Sequence, residues 1–362
     1  MTMLAPGKTI GILGDGQLGR MMAIAAAELG YKTHIFGQDP NSPAAQVANA
    51  VTLADYTDQG ALRKFAKAVD AVTLEFENIP VETLAFLEPL VPVRPGRKVL
   101  EITQDRHLEK SFINNLGVPT APFANVETLK ELQEAVERIG TPAVLKTRKF
   151  GYDGKGQVKI TSATQIDQAW SDVNGQPCIL EGFIPFELEI SVIIARGING
   201  DIQAYIPVEN RHKNHILDIT LAPANILTTV SNHALGLAGK IAENLDLVGL
   251  IAVEMFVGSD GDVLINELAP RPHNSGHWTI EACTTSQFRQ SIRAAAGLKL
   301  GSAVHHSNAV MRNLIGDDID HWEEILSHPE MSLHLYGKAE AREGRKMGHV
   351  TRLFPLNIPP KL

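Results

Sequence analysis

Apolar residues along this chain gather in short unbroken runs, separated by turn residues and amphipathic stretches, the alternation of an α/β protein. Thr9–Leu13 predicts a buried strand, Met21–Leu29 an alanine-rich helix ended by Gly30, and Tyr31–Phe36 the next strand. Together they make a strand–turn–helix–strand unit of the doubly wound kind. Ala71–Phe76 predicts a further strand running into Glu75-Phe76-Glu77-Asn78, with a helix begun at Pro80. Val91–Gly96 reads as the crossing into a new domain. A helix is expected over Ile102–Leu116, its Asp105, Arg106 and Lys110 on a solvated face, and another over Glu127–Ile139. Ala143–Leu145 and Val158–Ile160 predict strands, Cys178–Pro185 a strand leading into a connector between lobes, and Glu187–Val192 a strand with one polar face. The helix Asn232–Asn244 precedes two apolar strands, Leu250–Val257 and Val263–Ile265, and Glu281–Ala296 is expected as a single helix.

Those two apolar strands carry the most informative polar residues. Glu254 interrupts the first, Asn266-Glu267 follows the second, and the short turn Gly258–Gly261 between them predicts a hairpin that juxtaposes the acids. An acid in an apolar strand is costly to bury unless a cation compensates it. Oxygen ligands without a cysteine cluster favour magnesium, which also takes oxygens from a bound phosphate. The loop that follows adds Arg271, His273, Asn274, Ser275 and His277. Upstream, Lys146 at a strand end leads into Thr147–Gln157, with glycines at 151, 154 and 156 and cations at 148, 149 and 155. Glycines let backbone N–H groups approach phosphate oxygens while lysines supply charge, so this hairpin reads as a polyphosphate cover. It is not a Walker loop, because no G-K-[ST] opens a helix.

Gly14-Asp15-Gly16-Gln17-Leu18-Gly19 matches G-x-G-x-x-G, with a helix N-terminus available to an anion. A dinucleotide site with Asp39 as ribose acid is the alternative, although Asp39 lies in a turn rather than at a strand tip. Glu77 reads equally as a cleft residue or as helix N-terminal charge. Taken alone, Glu181 and Glu189 fit solvent-face acids and His212 an exposed loop histidine. Lys338, Arg342, Arg345, Lys346 and Arg352 form a basic cluster suited to a phosphate.

The 362 residues allow two or three domains, and 44% hydrophobic with 20% charged residues describe an ordinary globular protein. A net charge of −8 argues against a general nucleic-acid binder. Cys178 and Cys283 match no zinc or redox spacing and suit a reducing compartment. Neither a signal-like N-terminus nor a membrane-length apolar run is present, so a cytoplasmic location without membrane contact is expected.

Several stretches together resemble the ATP-grasp superfamily and, within it, the N5-carboxyaminoimidazole ribonucleotide synthetase family. They are Ile12–Met21, Glu75–Asn78, Gly151-Tyr152-Asp153-Gly154-Lys155-Gly156-Gln157, Asn266-Glu267 with Ala269–His277, and Leu335–Lys338 with Gly344–His349. The resemblance spans nearly the whole chain. It implies three domains: an N-terminal doubly wound parallel-sheet domain (1–105), an ATP-grasp region (106–300) with a mobile α+β lid at about 125–205, and an α+β C-terminal segment (301–362) completing the substrate site. It further implies that ATP, bicarbonate and 5-aminoimidazole ribonucleotide react through carboxyphosphate. Arg106, Lys146, Gly151–Gln157 and His212 would then meet ATP phosphates, Glu181, Gly182, Phe183 and Ile184 adenine, and Glu189 the ribose. Glu254 and Glu267, helped by Asn266, would hold magnesium or manganese. Arg271, His273, Asn274, Asp153 and Lys155 would serve the carboxylation, and Glu75, Tyr152, Lys346 and Arg352 would bind the ribonucleotide. A homodimer, and hand-off of product to the mutase that follows, belong to the same implication. Three positions depart from the family pattern, each replacing a usual glycine: Asp15, Phe150 and His215. Rival readings are a formate-dependent transformylase of the same superfamily, a nicotinamide oxidoreductase, and a silent nucleotide-binding subunit.

Overall fold

A computed structural model describes residues 3–149, 151 and 156–361. Phe150, Tyr152, Asp153, Gly154 and Lys155 lie outside the described residues.

The first sheet is parallel. Its strands β1 (Thr9–Leu13), β2 (Lys32–Gly37), β3 (Ala50–Leu53) and β4 (Ala71–Leu74) stand in the order β3-β2-β1-β4. The order reverses between β1 and β4, and in such sheets the crevice at the carboxyl ends of the strands flanking that point takes ligands. Here those ends are Gly14–Gly19 and Glu75–Asn78. The helix after β1 runs Gln17–Glu28, four residues ahead of expectation, because Gly16 already serves as its N-cap. Val93 bridges Val72 in parallel, so the expected crossing at Val91–Gly96 extends this sheet before the chain leaves it.

The helix expected over Ile102–Leu116 is two helices, Arg97–Thr103 and Arg106–Asn115. The break comes at Asp105, whose carboxylate leaves helical geometry to accept the His107 and Leu108 N–H groups as an N-cap. Its face is not solvated either: Glu109 and Lys110 are buried.

A second sheet, antiparallel, is built from β5 (Phe123–Val126), β6 (Ala143–Thr147), β7 (Gln157–Ile160) and β8 (Cys178–Gly182) in the order β5-β8-β6-β7. Helices Leu129–Ile139 and Ile166–Asp172 close a small core against it. Thr128 and Glu131 form the capping box that starts the first of them.

The largest sheet has nine strands: β9 (Leu188–Arg196), β10 (Ile202–Ala204), β11 (Val208–Lys213), β12 (Ile216–Ala222), β13 (Gly249–Val257), β14 (Val263–Ala269), β15 (Asn308–Ile315), β16 (Met331–Leu335) and β17 (Lys346–Phe354). The order is β14-β13-β9-β11-β12-β15-β17-β16, with β10 beside β9. Alternation along β9 sends Ile190, Val192 and Ile194 into one core and Ile193 and Ala195 into another, so both faces are covered. Because β15 pairs with β12, the C-terminal strands continue the sheet that carries Glu254 and Glu267. The helix expected over Glu281–Ala296 is interrupted. Cys283 is extended and bridges His305, and Ser286 caps a new helix, Gln287–Ala295. Among the described residues, no helix is long and apolar enough to cross a membrane.

Candidate active site

A cleft of about 1450 Å³ runs between the three sheets, lined from the Gly14–Leu18 turn to Phe183, Phe186 and Phe256. Its acidic floor is the β13–β14 hairpin, where Glu254 and Glu267 are direct cross-strand partners beside a bulge. Glu254 meets His273 Nε2 at 2.9 Å, and Glu267 meets Arg106 Nη1 at 3.0 Å. Burial pushes the Glu267 carboxyl up, but Arg106 outweighs it and holds it below the usual range. Asn266 Oδ1 beside it is buried without a hydrogen-bond partner among the described residues. Two carboxylates and an amide oxygen fit magnesium, which completes its octahedron with water and phosphate. No group of three or more His, Cys, Asp or Glu side chains forms a closed metal cage among the described residues.

Lys146 reaches the same region from β6, its Nζ 3.1 Å from Glu181 Oε2. Asp105, besides capping its helix, grips Arg148 at 2.6 Å and so ties that helix to the start of the glycine hairpin. At the hairpin's far end Gly156 has φ +71°, and a Cβ there would lie 2.7 Å from Thr147 Oγ1, so glycine is required. Glu189 and His212, on neighbouring strands, meet at 2.6 Å. Burial lowers the histidine's affinity for a proton, but the Glu189 hydrogen bond outweighs it and raises it. Asn214 and His215 make the β11–β12 turn with φ +51° and +64°, which explains why glycine suits the position His215 holds. Phe186 and Phe256 stack with centroids 4.5 Å apart at the cleft wall. Sequence reasoning missed this pair, since neither phenylalanine is marked by spacing.

At the other end Arg271 grips Glu77 through two hydrogen bonds, one from Nη2 to Oε1 at 2.8 Å and one from Nε to Oε2. Burial pushes the Glu77 carboxyl up, and Arg271 more than reverses this. His273 is held on both sides, by Glu254 and, through Nδ1, by Ser275 Oγ at 2.8 Å. Asn274 is turned inward with both amide atoms buried and unpartnered among the described residues. His277 is buried, its ring tilted against His349 with centroids 4.7 Å apart.

The Gly14–Gly19 turn is not an open anion site. Glu75 accepts the Gly16 N–H, and a Cβ at Gly14 or Gly16 would collide with its carboxylate. Asp15 in turn accepts the Gln38 and Asp39 N–H groups at 2.8 and 3.0 Å. The protein thus supplies its own acids where a dinucleotide pyrophosphate would sit, and the nicotinamide reading loses its site. Burial pushes the Glu75 carboxyl up to about 7.

Within the basic cluster, Lys346 lines the cleft and Lys338 lies behind it, donating to the Lys346 carbonyl at 2.7 Å. Burial, with Arg345 and Lys346 adding repulsion, brings Lys338 down to about 8. Arg352 does not join them. It sits six residues along β17, exposed, with Glu330 at 3.5 Å. Expectation placed it on the ribonucleotide; strand register carries it to the surface instead.

Glu109 lies just behind Arg106, its Oε2 accepting the Leu268 N–H at 3.0 Å. Burial pushes its carboxyl from 4.5 up to about 8 against the pull of Arg106. The folded chain therefore keeps a proton that the unfolded chain releases above 4.5. Stability from this group is full below that value and lost as pH rises through about 8. Glu109→Gln cannot ionise. Its melting temperature should exceed that of the parent protein, by a gap that widens from about pH 6 to about pH 9 in thermal unfolding.

The chain was compared with known proteins. Residues 7–104 match the ribonucleotide synthetase preATP-grasp domain, 111–288 the ATP-grasp domain and 309–355 the phosphoribosylaminoimidazole carboxylase C-terminal domain. An N5-carboxyaminoimidazole ribonucleotide synthase of Brucella melitensis is 49% identical over 99% of both chains, and one of Bacillus subtilis 45% identical over 96% of this chain and 92% of that one. A bifunctional purine synthesis protein of Dictyostelium discoideum is 49% identical over 97% of this chain, which spans 37% of that longer protein. A crystal structure of an N5-carboxyaminoimidazole ribonucleotide synthetase with ADP superposes with TM-score 0.94 at 46% identity, covering 98% and 94% of the two chains. An Aspergillus clavatus N5-carboxyaminoimidazole synthase, complexed with ADP and 5-aminoimidazole ribonucleotide, superposes with TM-score 0.90 at 31% identity, covering 96% and 94%.

Proposed function

This chain belongs to the N5-carboxyaminoimidazole ribonucleotide synthase family of ATP-grasp ligases, and from that premise we propose how its residues divide the work. The reaction is the ATP-dependent carboxylation of 5-aminoimidazole ribonucleotide in purine biosynthesis. Bicarbonate is the carbon source. Its hydroxide is a poor leaving group, so an oxygen of bicarbonate first attacks the γ-phosphorus, ADP leaves, and carboxyphosphate forms. The ribonucleotide amine then attacks the carboxyl carbon, phosphate departs, and the amine proton is lost.

Lys146 and Arg106 bind the ATP phosphates, the Gly151–Gln157 stretch is assigned to cover them, and the family resemblance assigns its Tyr152, Asp153 and Lys155 to the aminoimidazole. The backbone of Glu181–Ile184 reads adenine, with Phe186 and Phe256 as its apolar wall. Glu189 takes the ribose hydroxyls, and its partner His212 faces the phosphates. Glu254, Glu267 and Asn266 would hold magnesium, which when bound would neutralise charge moving onto ADP. Arg271, fixed by Glu77, together with His273 and Asn274 holds the carboxylating end, and Glu75 the ribonucleotide beside it. Lys346 with Lys338 takes the ribonucleotide phosphate. Carboxyphosphate hydrolyses readily, so closure of the β5–β8 lid serves to exclude water.

The observation that carries this reading is the pair of inward amides. Asn266 Oδ1 and both Asn274 amide atoms are buried and unpartnered among the described residues, and both side chains belong to the cleft that Glu254, Glu267 and Arg271 line. Polar groups left so are costly unless a ligand pairs them. ADP release in magnesium buffer with bicarbonate should rise strongly on adding 5-aminoimidazole ribonucleotide. Formate with glycinamide ribonucleotide should leave it unchanged. Stimulation by formate instead would move the chain to transformylation. The family reading also carries a homodimer, checked by light scattering, and delivery of product to the mutase.

A further inference from the structure

Lys110 has no part in the roles above, yet it is fully buried against Glu181, behind the proposed nucleotide site. Its Nζ lies 3.3 Å from Glu181 Oε2, the same oxygen that Lys146 meets at 3.1 Å. The Ile265 carbonyl, 3.5 Å away, holds it from the other side. Side-chain exposure separates the two lysines: 1% for Lys110 and 15% for Lys146, against 4% for Glu181. Lys146 lines the cleft and Lys110 does not. One lysine can therefore move to a ligand while the other cannot.

We propose that Lys110 is a positioning residue, a fixed counter-cation that keeps Glu181 compensated when Lys146 leaves it for the ATP phosphates. This deepens, and rests on, the assignment of Lys146 to those phosphates. A buried carboxylate stripped of its partner is strongly unfavourable. Arg106 also acts on Glu181, but it too is assigned to the ATP phosphates, so without Lys110 each ATP binding event would draw both remaining cations from Glu181 and that cost would be subtracted from affinity. Lys110 removes the cost by staying. The charges agree with this geometry: burial pushes Glu181 up, but Lys110 and Lys146 outweigh it and hold it at about 2. Lys146 is drawn down by burial and by the crowding of Arg106 and Lys110, against the pull of Glu181.

The test is the affinity of a non-hydrolysable ATP analogue, measured by calorimetry on the full chain. Lys110→Met should weaken binding about tenfold, and Lys110→Arg should restore it. In a Glu181→Gln background, where no charge needs compensating, Lys110→Met should change affinity by less than about twofold. A purely structural Lys110 would give the same loss in both backgrounds, and that result, or no loss in either, overturns the proposal. Should Lys110→Met alone fail to fold, the double variant against Glu181→Gln decides: equal affinity supports it and a tenfold loss overturns it. Lys146→Met is measured alongside. If it binds the analogue as the parent protein does, the assignment of Lys146 has failed, a result distinct from any that Lys110→Met gives.

Discussion

Glu267→Ala should abolish bicarbonate-dependent ADP formation, lowering kcat by at least about 10³-fold while the protein stays folded. Glu267 has two tasks in one place. It faces Glu254 across the hairpin, the pair proposed to hold the cation, and it anchors Arg106 at 3.0 Å where the ATP phosphates are proposed to lie. Removing the carboxylate halves the acidic charge available to magnesium and frees a buried guanidinium, so both the cation and the positive arm beside it lose their place. The fold should persist, because Glu181 still acts on Arg106 and the cross-strand backbone bonds are untouched. ADP production at saturating magnesium, with circular dichroism for the fold, checks both halves. Retained turnover would sink the metal assignment.

Arg271→Ala should separate the two ends of the cleft. The affinity for ATP should hold, whereas kcat for carboxylation should fall by about 10²–10³-fold, the usual loss for one oriented donor at a reacting centre. Arg271→Lys should not rescue it, because the bidentate fork that grips Glu77 is a guanidinium property. Stability should fall too, since Glu77 loses its partner. The side chains keep 18% and 28% exposure on the cleft side, so the cost should be about 2 kcal/mol, below the 3–5 of a dry pair. Substrate-saturation kinetics with denaturant unfolding would read both numbers. A rise in the KM for ATP with unchanged kcat would place Arg271 at the nucleotide instead.

Much of this architecture was legible in the sequence for plain reasons. Period-two runs and the tight Gly258–Gly261 turn bring Glu254 and Glu267 together without long-range information. Lys146 at a strand end before a glycine-rich hairpin is equally local. What sequence could not reveal depends on register and packing. Glu189 and His212 each read as a bland surface residue, and only the antiparallel pairing of β9 with β11 joins them. Arg271 and Glu77 are 194 residues apart. Lys110 was misread because a charged helix face implies solvent in isolation, whereas here that face is pressed against the lid and β14. Arg352 was misplaced for the opposite reason: it belongs to one basic cluster in sequence, and only the register of β17 shows that Lys346 lines the cleft while Arg352 faces Glu330 at the surface. The glycine fingerprint misled on charge, since Glu75 comes from a different strand to occupy the turn.

The pairing of β15 with β12 has an evolutionary consequence. A chain ending near residue 300 would not simply lack the proposed grip on the ribonucleotide phosphate. It would present the Ile219–Ala222 stretch of β12 as an open edge, with unpaired N–H and C=O groups inviting association with other chains. Selectivity for one acceptor and protection of the nucleotide-binding slab are therefore inherited together. Exchange of the terminal segment between related ligases succeeds only if the newcomer also supplies a strand in register with Ile219–Ala222.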